Sequence, residues 1–461
     1  MRDLTQGSLP GHIVAMAVPM MVGLLVQTLY YMVDLYFVAR LGDTALAGVS
    51  AAGNVFFLVM ALTQVLAVGT VALVSHAAGA KDQAKANLVF NQSVVFAASL
   101  ALLTLIGGYG LSHWYLGIVA ADADTVAAGM SYLYWLLPGM ALQFGLAAMG
   151  SALRGTGIVK PTMVVQLATV VCNVILAPVL IAGWGTGVAM GVAGAGLATT
   201  ISMVVGTLMM LAYFRNLEHY VGFDLSLWRP RLAVWREMLN VGLPAGGEFA
   251  LMFIYMAVIF AVIADFGAHA QAGFGIGMRV MQAIFMPAMA IAFSAPAVAG
   301  QNFGARDGAR VRGTFVAAAL MNTALMIPIM LLCKLRPEWL VSSFSSDPEV
   351  LAVATVFLSV ISWNFIASGL VFTCSGMFQA LGNTLPALLS TATRMITFAI
   401  PAIWLSHQPG FQIVYVWYLS VATVTLQAIV SVGLLYWQFG KRLRFDAPAA
   451  ASMPEPTPEA A

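Results

Sequence analysis

The sequence predicts an all-α polytopic membrane protein whose twelve transmembrane helices form two parallel six-helix repeats. Three observations carry this prediction: an apolar composition, twelve apolar runs of membrane-spanning length, and one constant offset between the halves of the chain. Of the 461 residues, 61% are hydrophobic and only 8% are charged, whereas a soluble domain carries about 25% charged residues. We therefore expect nearly all of the chain to lie in a lipid bilayer, and no part of it to form a soluble catalytic domain.

Each of the twelve apolar runs is long enough to cross a bilayer. A helix rises about 1.5 Å per residue, so ~20 apolar residues span a ~30 Å hydrocarbon core. The first run is too long for the apolar region of a signal peptide, and we expect it to be retained. The predicted spans are residues 13–39, 46–75, 86–109, 126–150, 160–182, 190–214, 237–264, 270–299, 311–333, 349–376, 386–405 and 411–437.

The Lys and Arg residues of the loops predict the orientation, because cytoplasmic loops carry an excess of both. With the N-terminus inside, fifteen of the 20 fall on the cytoplasmic side, and Arg40, Lys334 and Arg336 fall on the other side. Arg279 and Arg394 remain within the membrane. We predict a multi-pass protein of the cell inner (plasma) membrane with both termini in the cytoplasm.

A long inner connection at residues 215–237 contains four arginines and the helix-breaking sequence RPR, and it divides the chain into halves. The Pro/Ala-rich sequence at the C-terminus predicts a disordered cytoplasmic tail. We predict a cytoplasmic N-terminus at 1–12, an N-lobe at 13–214, a cytoplasmic linker at 215–236, a C-lobe at 237–439 and the tail at 440–461.

The halves align without a gap at an offset of 225 residues, the spacing from Pro19 to Pro244. Six helices per repeat is an even number, so the halves share one orientation. We expect a pseudo-twofold axis along the membrane normal and a substrate path between the lobes, which rock to give alternating access. Other matched pairs are Gly48 with Gly273, Trp114 with Trp339, Gly157 with Gly382 and Pro161 with Pro386.

Two of the matched pairs predict helix ends. Asp122 and Asp347 precede apolar runs, which is typical of N-caps. Gly79 and Gly304 precede charged inner loops, and we expect them to end helices as C-terminal glycines do. The six histidines lie near helix ends or in loops without metal-ligand spacing, so neither a metal site nor another role is predicted for them.

Several motifs resemble the multidrug and toxic compound extrusion (MATE) family. They are DLYFVARLGDTALAG at 34–48, HAAGAKD at 76–82, ALRGTGIVKP at 152–161, GVAGAGLAT at 191–199, GLP at 242–244 and GQNFGA at 300–305. The resemblance covers both halves, from about residue 8 to residue 440. It implies a twelve-helix, two-lobe antiporter that exports amphipathic, often cationic compounds in exchange for Na⁺ or H⁺.

The resemblance also implies roles for single residues. Asp34 matches the first-helix acid implicated in ion coupling, Asn173 a fifth-helix asparagine, and Thr199 a sixth-helix hydroxyl. Glu248 matches a seventh-helix acid found in part of the family. Sodium-site members carry an aspartate where this chain has Ala177, and the tenth predicted helix has no acid at depth. Both departures remove oxygen ligands that Na⁺ needs, so we favour H⁺ as the coupling ion and expect no other cofactor.

Asp34 is the only charged residue between positions 13 and 39. A carboxylate in a membrane costs several kcal/mol unless it is paired, hydrated or protonated. No Lys or Arg is predicted inside the first-half helices to pair with it, which suits a group that loads and releases a proton. Tyr30 lies one turn earlier on the same face and is a candidate hydrogen-bonding neighbour. The alternative is an Asp34 that faces water and only packs or caps.

The acid of the second half differs from Asp34 in having candidate partners, because either Arg279 or Arg394 is able to pair with Glu248. A paired Glu248 holds a cationic substrate or braces the lobe, and the arginines are counter-charges or bond helix carbonyls. This predicts an asymmetry, in which the N-lobe titrates and the C-lobe is charge-balanced. Asn173 and Thr199 have an equally ordinary use as hydrogen bonds between helices.

The alternative function is a flippase for a lipid-linked precursor, since flippases of the wider superfamily share this architecture. A flippase of that kind usually needs a strongly basic cavity, and only Arg279 and Arg394 are predicted at depth. No nucleotide-binding motif is present, so an ion gradient is the expected energy source. The expected partners are amphipathic or cationic small molecules and the bilayer, with no nucleic acid, and the protein is expected to act as a monomer.

Overall fold

The computed structural model describes residues 1–119 and 122–445, apart from the side chains of residues 30, 31 and 33–35. Residues 446–461 of the predicted tail lie outside the described residues. Its first residues, 440–442, form the end of the last helix, so the tail prediction began too early.

The first half forms six long helices. They are α1 (Leu9–Ala39), α2 (Asp43–Gly79), α3 (Gln83–Val119), α4 (Ala123–Gly155), α5 (Lys160–Ala182) and α6 (Val192–Asn216). A short 3-10 helix at Leu225–Leu227 lies in the connection to the second half.

The second half repeats this pattern with one interruption. Its helices are α7 (Leu232–Ile263), α8 (Ala268–Gly304), α9 (Gly308–Leu335), the short α10 (Glu338–Val341), α11 (Pro348–Ile361), α12 (Asn364–Ala380), α13 (Leu385–Ser406) and α14 (Ile413–Arg442). Another 3-10 helix, Ala264–Phe266, follows α7. In the described part of the chain, 11 helices are long and apolar enough to span a membrane, or 12 if the bent pair α11 and α12 is one span. The predicted twelve-helix membrane fold is confirmed.

The tenth predicted span, 349–376, is not one continuous helix. It breaks between α11 and α12 with a bend of 60°. The carbonyl oxygen of Ser359 accepts hydrogen bonds from Ser362 Oγ at 2.8 Å and Lys334 Nζ at 2.9 Å. The backbone N–H of Trp363 donates to Val360 instead, one residue short of the α-helical acceptor. Side-chain donors thus replace a bond of the helical ladder, which is a known cause of kinks.

The predicted N-caps are confirmed. Asp122 accepts from the backbone N–H of Thr125 at 2.7 Å, and Asp347 accepts from that of Glu349 at 2.9 Å. The bond from the Thr125 N–H also holds the pKa of Asp122 below its ordinary value. The two repeats therefore begin their fourth spans with the same cap.

The buried cores follow the two halves. One large apolar cluster draws its buried residues from positions 38 to 238, and another draws them from 259 to 417. We call α1–α6 the N-lobe and α7–α14 the C-lobe. The most buried spans are α2, α4 and α8, so these three helices form the centre on which the candidate site is built. We call the end that the Lys and Arg pattern assigns to the cytoplasm the inner end, and the opposite end the outer end.

At the inner end, α2 and α8 cross in close contact. A Cβ on Gly79 would overlap the carbonyl oxygen of Gln301, and a Cβ on Gly304 would overlap that of His76. The left-handed residues that follow these helices are Lys81 (φ 58) and Arg306 (φ 59). The two glycines do end helices as predicted, but their reason is the close approach of two backbones rather than a positive φ.

Candidate transport site

Asn173 on α5 and Thr199 on α6 are brought together in the N-lobe. Both are buried, and Asn173 Nδ2 donates to Thr199 Oγ1 at 3.4 Å. Thr199 Oγ1 donates in turn to the carbonyl oxygen of Ala195 at 3.2 Å. The two residues that the motifs selected from different helices thus form one polar contact within an apolar lobe.

A cavity of about 80 Å³ lies beside this pair. Thr199 and Ser202 of α6, Gln27 of α1 and Gln143 of α4 supply polar groups to its wall. The position of Asp34 follows Gln27 by seven residues, or about two turns of α1. The side chains of Asp34 and Tyr30 lie outside the described residues, so their predicted contacts stay predictions.

A second cavity, of about 250 Å³, is lined by the side chain of Arg154, a residue that the sequence analysis assigned to a cytoplasmic loop. Arg154 lies in the last turn of α4, and its Nη2 donates to Ser151 Oγ at 3.2 Å. Phe293 of α8 also lines this cavity, so it lies between the lobes. Arg154 lies near the inner end of α4, whereas position 34 lies near the outer end of α1. The two are therefore at opposite ends of the membrane-spanning region.

Glu248 on α7 is hydrogen-bonded to two hydroxyl groups. Ser375 Oγ donates to Glu248 Oε2 at 3.0 Å, and Thr391 Oγ1 donates to Oε1 at 3.5 Å. Among the described residues, the ion pairs within 4.0 Å are those of His269 with Asp347 and with Glu349. The predicted pairing of Glu248 with an arginine is therefore wrong for this conformation, because hydroxyls of α12 and α13 occupy its oxygens.

The repeat relates this carboxylate to an amide in the N-lobe. The counterpart of Glu248 is Gly23, and the counterpart of Thr391 is Gln166, each 225 residues earlier. A Cβ on Gly23 would stand 2.5 Å from Gln166 Oε1. The long amide side chain thus occupies in one lobe the space that the acid side chain occupies in the other, so the lobes share a backbone plan but differ in charge.

Arg279 of α8 and Arg394 of α13 line a C-lobe cavity of about 580 Å³. Phe57 of α2 reaches the same cavity and lies against Phe253, with ring centroids 4.6 Å apart. The guanidinium carbon of Arg394 lies 4.3 Å from the ring centroid of Tyr255. Among the described residues, neither guanidinium donates a hydrogen bond to a helix carbonyl. The interpretation of these arginines as counter-charges or carbonyl partners is not borne out in this conformation.

His76 is the residue that sequence reasoning missed most clearly. Its Nε2 donates to the carbonyl oxygen of Ala380 at 2.6 Å, and its ring lies 4.8 Å from that of Phe303. Gln301, its counterpart at the 225-residue offset, donates from Nε2 to the carbonyl oxygen of Gly155 at 3.0 Å. The sequence did contain a signal for this contact. At the 225-residue offset, His76 aligns with Gln301, so each repeat has a polar side chain just before its matched inner loop.

The N-terminal segment covers this inner crossing. The backbone N–H of Arg2 donates to Thr156 of the N-lobe at 2.9 Å. The N–H of Leu4 donates to Gln301 Oε1 of the C-lobe at 3.0 Å, and the carbonyl oxygen of Leu4 accepts from Asn302 Nδ2 at 3.2 Å. The segment therefore joins both lobes at the inner end.

Comparison with known proteins gives consistent results. The family model described as MatE matches the chain twice, at residues 19–179 and 244–405. The chain is 27% identical over 428 residues to the multidrug export protein MepA of Staphylococcus aureus strain MSSA476, covering 91% of this chain and 92% of the relative. It is 26% identical over 425 residues to MepA of Staphylococcus saprophyticus, with the same coverage.

Solved structures show the same architecture. One is the outward-facing conformation of a multidrug resistance MATE family transporter, with a TM-score of 0.87 and 25% identity over 96% of this chain and 98% of that one. Another is a MATE protein in the straight conformation, with a TM-score of 0.88 and 24% identity over the same shares. The two matches of the family model begin at residues 19 and 244, which agrees with the repeat derived from the sequence.

Proposed function

The chain belongs to the MatE family, the multidrug export transporters that its motifs resemble, and we propose that it exports amphipathic and cationic compounds by antiport with a cation. Residues 13–214 and 237–439 rock as two lobes to give alternating access. H⁺ is the favoured coupling ion and Na⁺ the alternative. The protein lies in the cell inner membrane with both termini in the cytoplasm and works as a monomer.

The observation that carries this proposal is the reciprocal contact at the inner end. His76 reaches from the N-lobe to Ala380, and Gln301 reaches from the C-lobe to Gly155, at matched positions of the repeat. Contacts of this kind close one end of the proposed path between the two lobes, and we propose that they break when the lobes rock.

Coupling is assigned to the N-lobe, with Asp34 as the group that loads and releases the proton. The Asn173–Thr199 pair and Tyr30 are proposed as its polar partners. Ala177 lies one turn after Asn173 and is fully buried, so α5 offers an apolar methyl where Na⁺ would need an oxygen. This supports H⁺ over Na⁺.

Glu248 is proposed as the second acid of the transport cycle. Its oxygens accept from Ser375 and Thr391 and form no ion pair within the described residues. Because both partners are neutral hydroxyls, no guanidinium competes with a cationic substrate for this side chain. The two lobes are therefore proposed to differ in function: the N-lobe couples transport to the ion, and the C-lobe binds the cationic substrate.

The experiment is efflux of ethidium from proteoliposomes under separate pH and Na⁺ gradients, with wild type compared with Asp34→Asn. We expect a pH gradient alone to drive efflux, and the substitution to abolish it. Efflux that requires Na⁺ would overturn H⁺ coupling. No movement of dye under either gradient would overturn the antiport and favour the flippase, the second candidate.

A further inference from the structure

The C-lobe cavity has the wrong charge for a site that binds only cations. Among the residues that the structure describes, its wall contains two guanidinium groups, those of Arg279 and Arg394, and no carboxylate. Glu248 is not one of its lining residues, whereas Thr391, whose hydroxyl donates to Glu248 Oε1, is one of them. At about 580 Å³, the cavity has the size of a site for a drug-sized molecule.

The two arginines come from different helices and line the same cavity. Arg279 lies eleven residues after the start of α8, and Arg394 lies twelve residues before the end of α13. Each is therefore about 17 Å from the outer end of its helix. An isolated cation at the centre of a membrane helix is unfavourable by several kcal/mol, so two at one level require a compensating interaction.

The protein supplies little of that compensation. The guanidinium of Arg394 lies over the ring of Tyr255, with its central carbon 4.3 Å from the ring centroid. Its Nε is buried, and it has no hydrogen-bond partner among the described residues. Tyr255 itself is fixed by a hydrogen bond of 3.1 Å between its hydroxyl and Ser420 Oγ. The ring thus orients the cation and leaves its donors unused.

The rest of the wall is apolar and deformable. Met256, Met281, Phe285 and Trp417 are among its lining residues. Methionine side chains adapt to varied shapes, and aromatic rings offer flat contact surfaces. Such a wall accommodates the apolar body of a ligand and does not select one shape.

We propose that the C-lobe cavity binds amphipathic anions, with the acid group held by Arg279 and Arg394 and the apolar body packed against the methionine and aromatic side chains. A guanidinium binds carboxylate, sulfonate and phosphate oxygens through paired N–H groups. Binding itself is independent of the proposed antiport, and only the export of such an anion would rest on it. The cavity thus adds a second ligand class to the cationic compounds that Glu248 attracts.

The test uses two probes that share one ring system. The purified full-length protein in phosphatidylcholine nanodiscs is titrated with 8-anilinonaphthalene-1-sulfonate, which is anionic, and with N-phenyl-1-naphthylamine, which is neutral. Empty nanodiscs give the background. We expect the sulfonate to bind at least tenfold more tightly than the neutral amine. Equal affinities would overturn the proposal, because the guanidinium groups would then contribute nothing.

Substitutions locate the effect. We expect Arg279→Gln and Arg394→Gln each to weaken binding of the sulfonate about tenfold and to change binding of the neutral amine by less than twofold. Arg394→Lys keeps the charge and is expected to restore part of the affinity. Arg312→Gln removes an exposed arginine from the inner end and is the matched control. Equal losses for both probes would indicate damage to the fold and overturn the assignment.

Competition distinguishes the sources of the anion. Farnesyl pyrophosphate and laurate are each added to the bound sulfonate probe. Stronger displacement by the pyrophosphate assigns the site to lipid-linked pyrophosphates, and stronger displacement by laurate assigns it to free amphipathic acids. Displacement by neither overturns the proposal. Ethidium efflux by the same preparation tests the antiport separately, so the two failures are distinguishable.

Discussion

His76 on α2 and Gln301 on α8 occupy equivalent positions in the two repeats, and each donates a hydrogen bond to the end of a helix in the opposite lobe. His76 bonds Ala380, the last residue of α12, and Gln301 bonds Gly155, the last residue of α4. The acceptors are themselves equivalent at the 225-residue offset. The pseudo-twofold axis therefore passes through the inner closure and relates donor to donor and acceptor to acceptor.

Removing either donor is expected to shift the protein away from inner closure. A buried hydrogen bond contributes about 1 kcal/mol, so His76→Ala and Gln301→Ala are each expected to lower the ratio of closed to open protein roughly fivefold. Spin labels at the exposed, repeat-related Ala84 and Ala309 report the separation of the lobes by double electron–electron resonance. His76→Gln gives both repeats the same donor and is the matched control. A distance distribution unchanged in both alanine variants would contradict the prediction.

The glycines at the crossing make a steric prediction. Gly79→Ala places a methyl group on the carbonyl oxygen of Gln301, and Gly304→Ala places one on that of His76. Because the atoms struck are backbone, we expect each variant to destabilise the closed form by about 1–3 kcal/mol and to lower its melting temperature.

Gly117→Ala on α3 is the control for these variants. A Cβ there meets nothing within 4 Å, so the higher helix propensity of alanine is expected to leave the stability equal or increased. If Gly79→Ala melts at or above the temperature of Gly117→Ala, the prediction is wrong, because the backbones of α2 and α8 would then leave room for a methyl group.

The N-terminal segment is expected to resist hydrogen exchange only while Arg310 holds it. The guanidinium of Arg310 donates to the carbonyl oxygens of Leu4 at 3.3 Å and Gly7 at 3.1 Å, and to Asn302 Oδ1 at 2.8 Å. Hydrogen bonds to charged groups contribute about 1.5–3 kcal/mol, so Arg310→Ala should speed exchange at residues 2–7 about tenfold or more. Mass spectrometry measures this.

Arg312→Ala provides the comparison, because Arg312 is exposed and two residues away on the same helix. It is expected to leave the exchange of residues 2–7 as in the wild type. Equal exchange in the two variants would mean that the segment is held by its contacts to Gln301 and Thr156 without help from the guanidinium.

Glu248→Gln separates substrate binding from ion coupling. Loss of the carboxylate charge is expected to raise the KM for ethidium about tenfold, since hydrogen-bonded charge interactions contribute about 1.5–3 kcal/mol. The dependence of efflux on the pH gradient should persist, because that dependence is assigned to Asp34. Glu237→Gln, the same substitution at an exposed position of α7, is the matched control. Loss of pH dependence with an unchanged KM would reverse the two assignments.

The sequence by itself determined the spans, the repeat and the caps. These depend on local properties: the length of apolar runs, the positions of loop charges, and the capping chemistry of Asp122 and Asp347. A break such as the one after Ser362 was not predictable, because it depends on a lysine of another helix reaching the carbonyl oxygen of Ser359. Apolar composition does not distinguish a straight transmembrane helix from a broken one.

Only the tertiary structure decided which polar groups meet. Glu248, Arg279 and Arg394 share one lobe in the sequence, yet the carboxylate faces Ser375 and Thr391 while the guanidinium groups line a cavity. His76 is near a helix end in the sequence and is enclosed at the lobe contact in the structure. The physical reason is that partners depend on the rotation and crossing of packed helices, and neither is encoded by spacing along one chain segment. The chain's own periodicity fixed where each residue lies along its helix, and packing fixed what it faces.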